Sequence, residues 1–123
     1  MGATIWIQSE TATEDELAPD LSLLCRHMTS LDRECRKSGV KRWTEFQDNS
    51  VMAADFGEEI PPVYSNPVEL ILTIQATQRA IAEGSLNLDE LVADQLAEEL
   101  NHAHDVVKKC CGLGERVRVK LVP

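Results

Sequence analysis

The last third of the chain carries the densest group of side chains that could do chemistry. Glu98, Glu99, His102, His104 and Asp105 lie close together in the sequence. Glu99 and His102 have the Glu-x-x-His spacing with which di-iron bundles hold metal, but such a site needs a second pair of this kind, and the chain has none. The acidic and histidine-bearing helix face formed by Glu98, His102 and Asp105 therefore predicts a small metal-dependent protein or enzyme only as an alternative function.

Nucleophilic catalysis has less support in the sequence. Cys25 and His27 stand two residues apart, so on a helix they point to different sides, and Cys110 belongs to an apolar stripe. No nucleophile elbow, glycine-rich phosphate loop or zinc-protease motif occurs. We therefore assign no catalytic, cofactor-binding or metal-binding residue and expect a non-catalytic protein. The four cysteines include no C-x-x-C pair, which favours free thiols in the cytoplasm.

Residues 40–65 are the better candidate for a functional surface. They show no sustained periodicity, and a connection of this length in a compact domain usually has a task or conceals a short helix, which we place near residues 44–47. The aromatic side chains in this segment either anchor a partner or cover the open end of the helical core. The possible partner-binding residues are Trp43, Phe46, Asp55, Glu58, Glu59 and Tyr64.

An energetic argument divides residues 40–65 into a buried and an exposed part. Burial of one large aromatic side chain contributes about 1.5–3 kcal/mol, which is enough for Trp43 and Phe46 to tether the segment. Carboxylates without partners resist burial, so Asp55, Glu58 and Glu59 are expected to stay exposed and to form the edge that faces a partner. The two prolines that follow at residues 61–62 make the end of the segment extended and stiff.

Three predicted helices position these residues. The first spans residues 21–38, with Asp20 as its cap. The second begins at Asn66, where a capping side chain precedes Pro67, and its expected buried stripe consists of Val68, Ile71, Leu72, Ile74 and Ile81. The third begins at the capping-box pattern of residues 87 and 90, with a hydrophobic staple between residues 86 and 91. Its expected stripe consists of Leu88, Leu91, Val92, Leu96, Leu100, Ala103, Val107 and Cys110.

The two ends of the chain have the period-two pattern of β-strands. Residues 3–8 alternate Ile5 and Ile7 with polar side chains, and residues 116–122 alternate an apolar face with a basic one. We expect these strands to pair into a small ribbon that rests on the helices, with the basic face stacked on Trp6. The predicted fold is a single domain (residues 1–123) of the α+β class, mainly α, with a three-helix core.

The charge distribution indicates the kind of partner. The chain is acidic, with a net charge of −9, and residues 43–105 hold 13 acidic residues against the single basic residue Arg79. A negative surface repels phosphate backbones, so nucleic acid is disfavoured. No run approaches the roughly 18 apolar residues of a membrane span. The predicted function is a non-catalytic protein-binding or regulatory domain in the cytoplasm, with a protein partner or a second copy as its ligand.

Three segments also resemble a family of uncharacterised small bacterial proteins. They are the strand IWIQSE, the helix end CRKSGV followed by WTEF, and the loop PPVYSNPVELILTI, which together cover about half of the chain. The resemblance implies a bacterial, cytosolic origin and a strand-helices-strand layout. Because the family has no assigned activity, the resemblance transfers no functional residue.

Overall fold

The computed structural model of the chain describes residues 3–12 and 20–122. Five helices and a small three-stranded sheet make up these residues, which confirms the predicted α+β, mainly α, class. In chain order the elements are β1 (Thr4–Ser9), α1 (Ser22–Arg26), α2 (Met28–Ser38), a 3₁₀ turn (Trp43–Glu45), β2 (Gln47–Asp48), α3 (Ser50–Asp55), α4 (Pro67–Ala82), α5 (Glu90–Leu113) and β3 (Val117–Val122).

The sheet is larger than the predicted ribbon. The terminal strands do pair antiparallel, from Thr4 opposite Val122 to Ser9 opposite Val117. However, β2 adds a third strand parallel to β3, so the order is β1-β3-β2. A strand of two residues is too short to show a period of two, which is why sequence periodicity missed it. The predicted cation–π contact is confirmed, because Lys120 Nζ lies 5.0 Å from the centroid of the Trp6 ring.

The first predicted helix is divided into α1 and α2 at His27. The residue has φ −99° and ψ 12°, outside the helical range. Even so, the His27 amide donates to the Leu23 carbonyl and the His27 carbonyl accepts from the Leu31 amide, so hydrogen bonding continues across the junction. The prediction that Asp20 caps this helix was wrong. The N-cap position of α1 is Leu21, which makes no side-chain cap, and the Asp20 carboxylate accepts a hydrogen bond from the Trp6 indole at 2.7 Å.

Helix α4 begins where the sequence predicts, and its predicted stripe is confirmed in part, since Ile74 is buried and Ile71 and Ile81 pack against the core. Asn66 Oδ1 accepts a hydrogen bond from the Val68 amide at 2.8 Å, which confirms the cap. The buried face contains Leu70, Thr73, Ile74, Ala76, Thr77 and Ala80. Val68 and Leu72, which the predicted stripe included, are 58% and 51% exposed. Because α4 has aliphatic residues on several faces, periodicity alone cannot select the face that packs.

Helix α5 confirms most of its predicted stripe and corrects its start. Its buried residues are Leu96, Leu100, Ala103, Val107 and Cys110. The helix begins at Glu90 after Asp89, without a side-chain cap, and Leu91 is 64% exposed, so neither the capping box nor the staple forms. Leu86 and Leu88 instead pack against the core.

One hydrophobic core lies between the sheet and the helices. Ile5, Ile7, Val117 and Val119 cover the inner face of the sheet, and they meet buried residues of α1, α2, α4 and α5. Helix α4 packs against α2 and α5, whereas α1 packs against α5 and β1. In the part of the chain that the structure describes, no helix is both long and apolar enough to cross a membrane.

Candidate functional site

The six predicted partner-binding residues occupy two different environments. Trp43 and Phe46 are in the core, with 0% and 1% of their surface exposed. Asp55, Glu58 and Glu59 are exposed, and Tyr64 is half-buried. The structure thus confirms that Trp43 and Phe46 fold the segment onto the domain while the acidic stretch faces solvent. Because both rings are buried, they hold the segment in place and are not accessible to a partner.

Trp43 is held by hydrogen bonds at both its indole and its backbone. The indole Nε1 donates to the Thr77 hydroxyl at 3.0 Å, and that hydroxyl in turn donates to the Thr73 carbonyl at 2.9 Å. The Trp43 amide donates to Asp32 Oδ1 at 2.6 Å, and the Thr44 hydroxyl donates to the other carboxylate oxygen at 2.9 Å. The 3₁₀ turn is therefore fixed to α4 through a buried hydroxyl and to α2 through a carboxylate.

A buried ion pair fixes the next part of the segment to the sheet. Asp48 on β2 is fully buried and pairs with Arg118 on β3, which also donates to the Ser50 hydroxyl at 2.8 Å. Burial by itself would raise the pKa of the Asp48 carboxyl, but the hydrogen bonds from Arg118 and Ser50 outweigh it and hold that pKa below its usual value. Asp48 is thus a carboxylate in the fold, and its charge contributes to holding β2 and α3 on β3.

Residues 54–63, which we call the exposed segment, follow directly from these anchors. Every residue in this run is exposed. Phe56 is 81% exposed, and Ile60 and Val63 are each 42% exposed. No salt bridge within residues 3–12 and 20–122 involves Asp55, Glu58 or Glu59. The exposed segment therefore presents apolar side chains beside carboxylates that have no basic partner in the described structure.

Both ends of the exposed segment are attached by backbone hydrogen bonds. At its start the Phe56 and Glu58 amides donate to the Ala53 carbonyl of α3, at 3.1 and 2.9 Å. Between them Gly57 adopts the left-handed conformation with φ 79° that glycine tolerates best. Just after its end Ser65 exchanges two hydrogen bonds with Val117, at 2.7 and 3.0 Å. These contacts fix where the segment leaves and rejoins the domain.

The alternative site on α5 lies beside an open pocket of about 460 Å³. Its lining residues are Asp20, Leu21, Ser22, Leu23, Gln95, Glu98, Glu99 and His102. Glu99 accepts hydrogen bonds there from the amides of Leu23 and Leu24, at 3.3 and 3.0 Å, so this carboxylate caps the start of α1. The Asp20 carboxylate accepts a hydrogen bond from the Trp6 indole. Two of the three acidic side chains in the pocket therefore already have structural roles.

The described residues assemble no ligand set for a metal ion. In residues 3–12 and 20–122, no three His, Cys, Asp or Glu side chains lie close enough together to hold one. The four cysteines are free, with Cys35 and Cys110 buried. Burial raises the pKa of the thiols of Cys25, Cys35 and Cys110, so these side chains are protonated and poor nucleophiles at neutral pH.

Several residues that shape the site carried no signal in the sequence. Thr77, Asp32 and Arg118 lie 34, 11 and 70 residues from their partners in the segment. Thr77 falls within an aliphatic helix and Arg118 on the basic face of a strand, where a solvated role is the usual one. Only the tertiary fold brings these partners together.

The resemblance to small bacterial proteins remains a prediction. The three segments that carry it fall on β1, on the junction of α2 with the 3₁₀ turn, and on the loop that leads into α4. All three determine structure rather than chemistry. No family model, curated protein or solved structure matches the chain.

Proposed function

We propose that the chain is a non-catalytic protein-binding domain and that the exposed segment is its binding surface. The observation that carries the proposal is the exposure of Phe56 to 81% on a segment whose two ends are hydrogen-bonded to the domain. Burial of an exposed aromatic side chain by a partner contributes favourably to the free energy of binding. Aromatic residues are also frequent among the few residues that dominate binding energy. Fixed ends reduce the entropy lost on binding.

Charge defines the partner. Asp55, Glu58 and Glu59 lie next to the exposed apolar side chains in the sequence, and their carboxylates form no salt bridge in the described structure. A basic surface on the partner would satisfy them, accelerate association and make binding sensitive to salt. The fitting partner is therefore a protein surface with an apolar pocket and a basic rim.

Capture of partners from the cytosol of the source organism by immobilised variants tests this function. Phe56→Ala and the double variant Glu58→Lys/Glu59→Lys should each reduce the recovery of specific partners at least tenfold. The matched control is Glu90→Lys/Asp94→Lys, because it makes the same change in net charge at exposed positions of α5. All three variants should keep the stability of the parent protein, since the altered side chains are exposed.

The results separate binding from general electrostatics. If the α5 variant loses partners to the same extent as the Glu58 and Glu59 variant, recovery depends only on net charge. If Phe56→Ala recovers every partner unchanged, the exposed segment is not the binding surface and the proposal is refuted.

A further inference from the structure

The covalent structure of residues 60–62 favours an extended backbone. The rings of Pro61 and Pro62 hold φ near −65°. Ile60 and Pro61 each precede a proline, which disfavours the helical region for both. Residues 58–64 belong to neither a helix nor a strand. The proline rings favour an extended backbone without hydrogen bonds to a neighbouring strand. These constraints favour the polyproline II conformation, in which the backbone groups stay available to solvent or to a ligand.

The stiff run is also held at fixed points of the domain. Upstream, the Glu58 amide donates to the Ala53 carbonyl of α3 at 2.9 Å. Downstream, Ser65 is hydrogen-bonded to Val117, and the Tyr64 ring lies 5.1 Å from the Arg116 guanidinium carbon. A partner that binds between these points meets a backbone that is already ordered, so it loses little conformational entropy.

The side chains of the run are arranged for recognition along one edge. A polyproline II helix has three residues per turn, which places Ile60 and Val63 on the same face. Each of them is 42% exposed, and both prolines between them are exposed as well. Glu58 and Glu59 directly precede Ile60, so the N-terminal end of this run carries negative charge.

Of the three modes of peptide recognition that depend on the backbone conformation of the ligand, only one suits this segment. Addition to the edge of a partner sheet uses backbone N–H donors, which both prolines lack. Docking as a helix is excluded by the same two rings. Recognition of a polyproline II segment by an aromatic-lined groove needs neither backbone N–H donors nor a helical backbone, because the proline rings pack against the aromatic side chains of the groove.

We infer that residues 58–63 are a polyproline II ligand for a partner domain with an aromatic-lined groove and basic residues at one end of it. The inference rests on the proposed function and specifies the chemistry of the partner. The groove takes Pro61 and Pro62 between aromatic side chains, Ile60 and Val63 lie along its wall, and its basic end meets Glu58 and Glu59.

Titration of the 123-residue chain with isolated proline-recognition domains tests the inference. The probes are a WW, an SH3 and an EVH1 domain, which offer three different aromatic-lined grooves. At least one should bind the wild-type protein, and Pro61→Ala/Pro62→Ala should raise its Kd at least tenfold. The control variant Val68→Ala/Leu72→Ala, which removes two exposed apolar side chains from α4, should change that Kd less than twofold. Thermal unfolding of both variants establishes that they are folded.

The outcomes distinguish this inference from the proposed function. Absence of binding by all three probes at about 1 mM, a concentration at which even weak complexes form, overturns the inference. So does binding that the proline variant leaves unchanged. If partner capture still depends on Phe56 and Glu58 but not on the prolines, the binding function stands and the polyproline mode is wrong. If capture depends on none of them, both proposals fail.

Discussion

Replacement of Thr77 by valine should destabilise the protein although it conserves the shape of a fully buried side chain. The Thr77 hydroxyl accepts the hydrogen bond of the Trp43 indole, and both residues have 0% exposure. Valine fills the same volume but leaves the indole N–H without a partner. An unsatisfied buried donor costs about 1–3 kcal/mol, so we expect Thr77→Val to lower the free energy of unfolding by about 2 kcal/mol.

Thr77→Ser provides the matched control. Serine keeps the hydroxyl and removes one methyl group, at a cost of about 1 kcal/mol for the buried carbon. Packing volume alone would make serine the worse substitution, whereas the hydrogen bond makes valine the worse one. Urea unfolding followed by circular dichroism measures both free energies, and the same probe serves variants that lack the Trp43 indole.

A double-mutant cycle gives the decisive result. In a Trp43→Phe protein no indole N–H exists, so Thr77→Val should there be close to neutral. If valine costs as much in that background as in the wild type, or if serine is the more destabilising substitution, the indole–hydroxyl bond does not hold the segment and the reasoning is refuted.

The remaining predictions concern the ion pair, the helix cap and the thiols. Asp48→Asn should destabilise the protein by about 3 kcal/mol at pH 7, because it leaves Arg118 without its buried partner. The pKa of Asp48 is lowered in the fold, so this contribution is present above the unfolded pKa of about 3.9 and is lost as the pH falls through the folded value. The stability gap between the two proteins should therefore shrink between about pH 5 and pH 2 in unfolding titrations, and a gap that stays constant would contradict the ion pair. Glu99→Ala should lower the free energy of unfolding by about 1 kcal/mol through loss of the α1 cap, whereas Glu98→Ala, the exposed neighbour, should change it by less than about 0.5 kcal/mol. Equal effects in chemical denaturation would show that the carboxylate caps nothing. With a thiol-specific chromogenic reagent, the half-buried thiols of Cys25 and Cys111 should react first, whereas the buried thiols of Cys35 and Cys110 should react only on unfolding. Rapid labelling of Cys35 in the native protein would be inconsistent with the closed core.

Local chemistry in the sequence was enough to predict the fold class and the positions of most elements. Alternation at the two termini identified β1 and β3, because a strand with one buried face must alternate. Asn66 and Pro67 identified the start of α4, since a capping oxygen and a missing N–H are what the first turn of a helix requires. The burial of Trp43 and the exposure of Glu58 followed from the free energies of transfer of their side chains.

Only the tertiary structure decided which surfaces are available for function. Val68 and Leu72 were expected in the core, but α4 buries Thr73 and Thr77 instead, because their hydroxyls satisfy the Lys41 carbonyl and the Trp43 indole. Glu99 was singled out in the sequence for its metal-binding spacing with His102, and in the fold it caps a helix 75 residues earlier in the chain. These outcomes depend on pairing between groups that are remote in sequence. Periodicity reports the environment along one element, so it contains no information about which donor on another element a given acceptor will meet.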